Sequence, residues 1–377
     1  MHKGAAEIRP VQASGMENVH DSVIDHAAKE AVAHAVPGKH CVYSSLRTSL
    51  RRYGVNLAES ELFMLCGSMC AEYSGDLKRF GPEKYPEQLQ EMAASGGPVI
   101  RVEPWIVGVS DETDLLRVLT SGYGTMLHTS STALTYHDVY VKNCPRGHVI
   151  ELSGLDLQER TVQVNDSFLL DSSGHAMTYV GSARLDDLMQ GIIEYAWLVE
   201  QSAPLSPGEL HAACAYHIHQ YVTGHEAVWR GVPSSNDPGN KPGNGAAGKQ
   251  VKRGDKGYRS FVEDFSLLTD MEDTDFRTYC HEIYYNLRLG SALHLTDYTA
   301  DYCMLHKATL GLRAQHVVEL AQALHAEWHK LNLYIYKTGL QLRKHRMPDI
   351  TERALSLIDK QRHMLEELMI LAEQAAE

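Results

Sequence analysis

Hydrophobic positions in residues 37–200 change repeatedly between helical and strand spacing. Helical spacing predicts helices at residues 41–53, 59–73 and 112–121. Strand patterns cover residues 99–102, 106–109, 124–128 and 139–141. Because short helices are interleaved with short strands, this part of the chain is predicted to have an α+β fold.

The clearest strand pattern predicts an antiparallel hairpin. Alternating positions run from His148 to Leu152, and the alternation resumes at Val162 after a polar turn at residues 156–160. In an antiparallel hairpin the start of the first strand lies beside the end of the second. His148 and Asp166 are therefore predicted to be neighbours in space.

Beyond Tyr258 the spacing is almost entirely helical. Residues 308–346 and 351–375 carry apolar side chains near every third or fourth position, and Pro348 separates the two runs. This pattern predicts an antiparallel helical hairpin that closes a bundle. A run rich in Gly, Pro and Asn at residues 231–257 predicts a flexible loop.

These patterns divide the chain into four parts. We predict an N-terminal extension at 1–36, an α+β domain at 37–200, a connecting segment with the flexible loop at 201–257, and a helical domain at 258–377.

Composition narrows the class of protein. The 377 residues include 35 Lys and Arg against 48 Asp and Glu, and the formal net charge of -13 argues against nucleic acid or an anionic membrane as a partner. Residues 1–37 lack the apolar core of a signal peptide, and no stretch reaches the roughly 18 apolar residues that span a membrane. The sequence predicts a cytoplasmic protein and leaves open whether it forms a homodimer.

One cysteine stands apart from the others. The 7 cysteines are scattered without CxxC spacing, which predicts free thiols rather than a disulfide framework or a zinc site. Cys41 differs because a loop delivers it to the start of a predicted helix. The positive end of the helix dipole stabilises a thiolate there, so Cys41 is the candidate nucleophile.

A cysteine nucleophile needs an imidazole that accepts the thiol proton, and a carboxylate or amide that orients this imidazole. Cys41, His148 and Asp166 supply these groups in that order along the chain. Considered alone, His148 can be a histidine with its hydrogen bonds fully made at a sheet edge, and Asp166 can be a residue that caps a turn. Considered together, the order of the three residues and their positions at a helix start and on two strands favour a catalytic triad.

The same residues carry a family resemblance. Residues 38–73 contain His40-Cys41, Leu46, Leu50, Tyr53-Gly54, Leu57, Ser60-Glu61 and Phe63. In this stretch the chain resembles the BtrH-like acyltransferases of antibiotic biosynthesis, which look like the cysteine peptidases that process double-glycine leader peptides. The hairpin from His148 to Asp166 resembles the His strand and the Asn-Asp strand of that group.

The resemblance implies a papain-like catalytic domain at residues 37–200 with a helical C-terminal region. It implies that Cys41 and His148 move an acyl group from a carrier-protein thioester to a small amine acceptor, with Asp166 as the third member. The donor would be an acyl or peptidyl carrier protein with its phosphopantetheine arm. No bound cofactor or metal is expected.

Papain-like peptidases hold a glutamine shortly before the cysteine as an oxyanion donor, and this chain has none at residues 33–36. The backbone N–H group of Cys41 can serve instead. The sequence offers His40, Tyr43 and Ser44 as second donors, and Asn165 as a further positioning residue.

Three alternatives stay open on the sequence alone. The same triad could serve a cysteine peptidase or amidase, or the chain could bind a carrier protein without catalysis. The third alternative concerns a basic run, which could be a solvated loop or could dock an acidic carrier protein. Its members are Lys241, Lys249, Lys252, Arg253 and Lys256.

Overall fold

The computed structural model describes most of the chain beyond residue 35. The described ranges are 36–51, 54–81, 100–104, 110–120, 124–138, 146–170, 175–199, 205–224, 227–228, 250–289 and 291–377. The predicted strands at 106–109 and 139–141, residue 53 and nearly all of the predicted N-terminal extension lie outside them.

The helices and strands follow one another in a mixed order. The helices are α1 (Cys41–Arg51), α2 (Glu59–Leu65), α3 (Glu112–Thr120), α4 (Leu185–Gly191), α5 (Pro207–Thr223), α6 (Gly254–Glu263), α7 (Asp273–Leu289), α8 (Ala292–Leu305), α9 (Lys307–Leu310), α10 (Ala314–Leu340) and α11 (Met347–Ala376). The strands are β1 (Glu72–Tyr73), β2 (Phe80–Gly81), β3 (Ile100–Pro104), β4 (Gly124–Ser130), β5 (Gly147–Asp156), β6 (Thr161–Leu170), β7 (Ala176–Arg184), β8 (Ile192–Val199), β9 (Ala227–Val228) and β10 (Gln250–Arg253).

The described strands form two antiparallel sheets. A six-stranded sheet has the order β3-β8-β4-β5-β6-β7, and a four-stranded sheet has the order β2-β1-β10-β9. The predicted hairpin is confirmed, since β5 pairs with β6 across the turn at 157–160. The fold is a mixed α+β fold with a helical C-terminal region, as the hydrophobic pattern predicts.

Alternate side chains of the large sheet enter two different cores. Met126 and Val149 join the core that also contains α1 and the C-terminal helices. Leu127 and Ile150, one position further along their strands, join a smaller core with side chains of α3 and α4. The sheet is therefore covered on both faces, and α1 lies on the face that carries Val149.

The helical region packs as predicted at its C-terminal end. Arg313, just before α10, pairs with Glu367 near the end of α11, and Arg353 near the start of α11 lies over the ring of Tyr334. These contacts confirm the antiparallel helical hairpin. The core on the α1 side includes side chains from both predicted domains, and the domain boundaries at residues 200 and 257 stay a prediction.

Two local predictions were wrong. The helix predicted at 59–73 ends at Leu65, because Gly67 adopts a φ of 60° and the chain then enters β1. The end of the predicted flexible loop is regular structure instead, because residues 250–257 form β10 and the first turn of α6. The glycine at position 254 allows two backbone segments to pack closely. A Cβ atom on this residue would lie 2.4 Å from the Tyr221 carbonyl oxygen.

Two described members of the basic run make contacts within the protein. Lys252 Nζ donates to Ser260 Oγ at 2.8 Å, and Arg253 pairs with Glu72 across the β1–β10 ladder. A third described member, Lys256, is exposed. Lys241 and Lys249 lie outside the described residues.

Candidate active site

Cys41 is the first residue of α1, and its side chain is half-buried. Three hydroxyl groups attach α1 to the hairpin: Ser45 Oγ donates to the Val149 carbonyl at 3.1 Å, Thr48 contacts Ser167 Oγ at 2.9 Å, and Ser49 donates to Glu151 at 3.0 Å. Cys41 lies one turn before Ser45, on the same helical face. The thiol therefore lies on the face of α1 that packs on the hairpin.

The hairpin brings His148 and Asp166 together, as the sequence predicts. Nε2 of His148 lies 3.0 Å from Oδ2 and 3.1 Å from Oδ1 of Asp166, and both side chains are buried. With the carboxylate ionised, Nε2 carries the proton and donates it to Asp166. The same contact leaves Nδ1 as the ring nitrogen that can face Cys41.

The thiol of Cys41 is hydrogen-bonded to His148. Burial by itself would lower the pKa of His148, but the charge and hydrogen bond of Asp166, together with the hydrogen bond to Cys41, raise that pKa from 6.5 to about 10. The imidazole is thus protonated at neutral pH. An imidazolium beside a sulfur atom stabilises the thiolate, which is the nucleophilic form.

A second imidazole next to the site stays neutral. Burial, together with the positive charge of His148, lowers the pKa of His128 on β4 to about 4. The two histidines lie on neighbouring strands, where His128 pairs with Val149. The positive charge therefore resides on the histidine that contacts both Cys41 and Asp166.

A buried carboxylate holds the loop before the cysteine. Glu59 accepts the backbone N–H of Lys39 at 2.9 Å and the hydroxyl of Tyr298 at 2.8 Å, and it pairs with Arg47 at 3.0 Å. Gly38 donates its N–H to the Ser167 carbonyl at 2.7 Å. These contacts set the position at which the chain enters α1 and therefore the position of the thiol.

Gly38 has no room for a side chain. A Cβ atom there would lie 2.3 Å from Cβ of Ser44 and 2.4 Å from Oε1 of Glu59. We expect Gly38→Ala to lower the free energy of unfolding by about 1–3 kcal/mol, measured by urea denaturation. Iodoacetamide should also label Cys41 more slowly, because the loop must move. In the control Gly208→Ala, the new Cβ meets only the Ala376 carbonyl at 3.4 Å; equal effects of the two substitutions would contradict this account.

His40, Tyr43 and Ser44 lie close to Cys41 in the chain, and these three residues and Asn165 are all engaged in other contacts. Tyr43 donates its hydroxyl to Ser68, and Ser44 donates to the His40 carbonyl at 2.8 Å. His40 accepts the Val42 N–H on Nδ1 at 3.3 Å, and Asn165 donates to Glu151 at 3.0 Å. Tyr43 and Ser44 would have to change partners to act as donors, so an oxyanion role for these four residues stays a prediction.

Tyr136 is a site residue that the sequence reasoning missed. Its hydroxyl donates to Oδ2 of Asp166 at 2.9 Å, and its ring stacks on Tyr179 with centroids 4.1 Å apart. Asp166 also accepts the Phe168 N–H at 3.1 Å. No spacing rule links Tyr136 to the hairpin, because the contact depends on how the segment after β4 folds over β6.

The hydroxyl of Tyr136 helps to fix the carboxylate that orients His148. We expect Tyr136→Phe to lower the rate of Cys41 acylation about fivefold, which corresponds to roughly 1 kcal/mol for one lost hydrogen bond. The matched control is Tyr179→Phe, since that hydroxyl donates to the Ser182 carbonyl at 2.8 Å rather than to Asp166. A loss of rate in the control equal to that in Tyr136→Phe would indicate a general effect of the stacked pair.

The helical region reaches the cysteine through α8. The ring of His294 meets that of His40 at 5.0 Å in an edge-to-face contact. Lys39 binds Asp301 at 2.7 Å and Asp297 at 3.0 Å. Burial by itself lowers the pKa of Lys39, but these carboxylates raise it overall. Residues from α8 therefore form a wall beside the loop that carries the thiol.

Among the described residues, no group of three or more His, Cys, Asp or Glu side chains could hold a metal ion. Within the same ranges, no helix combines the length and the apolar composition that crossing a membrane requires.

A comparison of the chain with protein-family models gives no match. A comparison with curated proteins gives no match either.

Proposed function

We propose that the protein is a cysteine-dependent acyltransferase that forms an amide from a carrier-protein thioester and an amine. The observation that carries the proposal is the hydrogen bond between Cys41 and His148, while Nε2 of the same ring contacts Asp166. A thiol, a protonated imidazole and a buried carboxylate in this order are the groups that acyl transfer through a thioester requires.

In the first step the Cys41 thiolate attacks the thioester carbonyl. The backbone N–H at the start of α1 has no acceptor within the helix, so it can stabilise the oxyanion of the tetrahedral intermediate. The bond between the carbonyl carbon and the carrier sulfur then breaks. His148 gives its proton to the departing carrier thiolate and becomes neutral, which leaves the acyl group on Cys41.

In the second step an amine attacks the acyl-enzyme. Neutral His148 accepts a proton from the amine nitrogen, the carbon–nitrogen bond forms, and the bond to Cys41 breaks. The cycle ends with the thiolate and the protonated His148 restored. No ATP is needed, because the thioester enters already activated. Water must be excluded from the acyl-enzyme, and the α8 wall beside His40 is suited to that task.

The arrangement of elements supports a papain-like catalytic domain as part of this proposal. The helix that begins at Cys41 packs on an antiparallel sheet, and two strands of that sheet supply His148 and Asp166 in this order. The proposal includes the predicted phosphopantetheine arm as the substrate carrier and a cytoplasmic location.

The proposal is tested by incubating the protein with an acylated carrier protein, with and without amines. We expect the mass of one acyl group on the intact protein, located on the peptide that contains Cys41, and amide formation when amine is added. Release of free acid alone would instead favour a cysteine hydrolase. Absence of any adduct would favour a carrier-binding protein without catalysis.

A further inference from the structure

α1 and β5 run side by side in the same direction, and this arrangement fixes what the start of α1 faces. Ser45 bonds to the Val149 carbonyl, and four residues later α1 bonds to Glu151, two residues further along β5. Four residues of helix rise about 6 Å and two residues of strand about 7 Å, so the two spacings match. One turn earlier on the helix and two residues earlier on the strand, Cys41 lies opposite Gly147.

Gly147 leaves a space that the ring of His128 fills. A Cβ atom on Gly147 would lie 2.3 Å from Nε2 of His128 and 3.2 Å from its Cε1 atom. His128 lies on β4 opposite Val149, and such cross-strand partners point to the same face of a sheet. That face is the one that α1 covers, because Val149 belongs to the core that contains side chains of α1. The imidazole of His128 therefore lies between Gly147 and the start of α1.

The imidazole of His128 is also close to His148. Gly147 precedes His148 in the chain, and burial and the positive charge of His148 hold the pKa of His128 at about 4. His128 is thus neutral at pH 7, and one of its two ring nitrogen atoms carries a hydrogen. A neutral imidazole of this kind can donate a hydrogen bond to a developing negative charge without giving up its proton.

An oxyanion at Cys41 calls for a donor besides the backbone N–H group of that residue. Tyr43 donates its hydroxyl hydrogen to Ser68, and Ser44 donates to a backbone carbonyl. The chain also has no glutamine at residues 33–36. Because the thiol lies on the face of α1 that packs on the hairpin, a donor on the sheet side of the thiol would complete the pair.

We infer that His128 is the second oxyanion donor of acyl transfer at Cys41, with its Nε2–H group directed to the carbonyl oxygen under attack. The inference rests on the proposed function. When the sulfur bonds to the thioester carbon, an electron pair of the carbonyl double bond moves to oxygen, and that oxygen accepts hydrogen bonds from Nε2–H and from the Cys41 N–H. The double bond re-forms as the bond to the carrier sulfur breaks. His128 keeps its hydrogen throughout, and His148 remains the group that transfers protons.

The test compares two reactions of Cys41 in the full-length protein, only one of which passes through an oxyanion. Acylation by p-nitrophenyl acetate, located by mass on the Cys41 peptide, forms a tetrahedral intermediate. Alkylation by iodoacetamide displaces iodide directly and forms none. We expect His128→Phe, which keeps a ring but has no N–H group, to lower the acylation rate about 100-fold and to leave the alkylation rate unchanged. His128→Gln should restore part of the acylation rate, because its amide supplies an N–H donor.

The matched control is His217→Phe. Burial lowers the pKa of His217 to about 4 as well, but His217 belongs to α5 rather than to the sheet. This substitution removes a neutral imidazole of the same kind and should change neither rate. Thermal unfolding of each variant verifies that the compared proteins are folded.

The outcomes separate the inference from the proposed function. Unchanged acylation in folded His128→Phe, an equal loss of both rates, or a loss in His128→Gln as large as that in His128→Phe would overturn the inference. Acylation of Cys41 by an acylated carrier protein without a selective loss in His128→Phe would leave the proposed function standing alone. Acylation by p-nitrophenyl acetate that depends on His128, without acylation by the carrier protein, would leave the oxyanion donor standing and remove the carrier-dependent transferase.

Discussion

Replacing Cys41 with alanine should abolish formation of the acyl-enzyme and lower amide formation by at least about 10⁴-fold. The sulfur is the atom that becomes acylated, and no other group at the start of α1 can replace it as nucleophile. The measurement is the mass of the intact protein after incubation with an acylated carrier protein, together with the rate of amide release.

A matched control for this substitution is Cys70→Ala. Cys70 is half-buried like Cys41, but its sulfur contacts the His217 carbonyl at 3.8 Å. We expect this variant to keep full acylation. Labelling by iodoacetamide should likewise be fastest at Cys41. Equal labelling of both thiols, or full activity of Cys41→Ala, would rule out Cys41 as the nucleophile.

Replacing Asp166 with asparagine should lower the rate of acylation by roughly 10²–10³-fold near neutral pH. The amide can still accept the Nε2 proton, so the ring stays oriented, but the negative charge that stabilises the imidazolium is lost. Because that charge raises the pKa of His148, its removal lowers the pKa from about 10. The thiolate then loses its positive neighbour at neutral pH.

The pH dependence of alkylation reports this change directly. Iodoacetamide should alkylate Cys41 faster at neutral pH in the natural protein than in Asp166→Asn, because only the natural protein keeps the imidazolium of His148 beside the sulfur. The control Glu151→Gln removes a different buried carboxylate, which contacts Ser49 and Asn165, and should leave the profile unchanged. An unchanged profile in Asp166→Asn would contradict the assigned ion pair.

The same substitution should change how stability depends on pH. The folded-state pKa of His148, about 10, exceeds its ordinary value of 6.5. Protonation of His148 therefore favours the folded state, with its full contribution present below about pH 6.5 and lost as pH rises toward 10. The difference in unfolding free energy between the natural protein and Asp166→Asn should shrink over that interval in urea denaturation.

Parts of the site that depend on neighbouring segments were predictable from the sequence. The alternation at His148 and Val162 specified a hairpin, and hairpin pairing places the ends of its two strands together. The contact between His148 and Asp166 followed from that rule. The α10–α11 hairpin was predictable for a similar reason, because apolar spacing and one proline mark two long helices joined by a short turn.

Glycine-rich segments were harder to interpret. Gly, Pro and Asn at residues 231–257 suggested a flexible loop, yet Gly254 lies against the Tyr221 backbone at the junction of β10 and α6. A glycine that permits motion and a glycine that permits close packing have the same local sequence signal. Only the neighbouring backbone distinguishes the two.

The sequence by itself determined the local elements: a cysteine at the start of a helix, a hairpin with His148 beside Asp166, and a helical C-terminal region. These features depend on spacing and on interactions between neighbouring segments. The tertiary structure alone decided that α1 packs on β5 and β6 so that Cys41 meets His148, that Tyr136 binds Asp166, and that α8 brings His294 to His40. Such contacts depend on how whole surfaces fit together, and no single spacing in the chain encodes that fit.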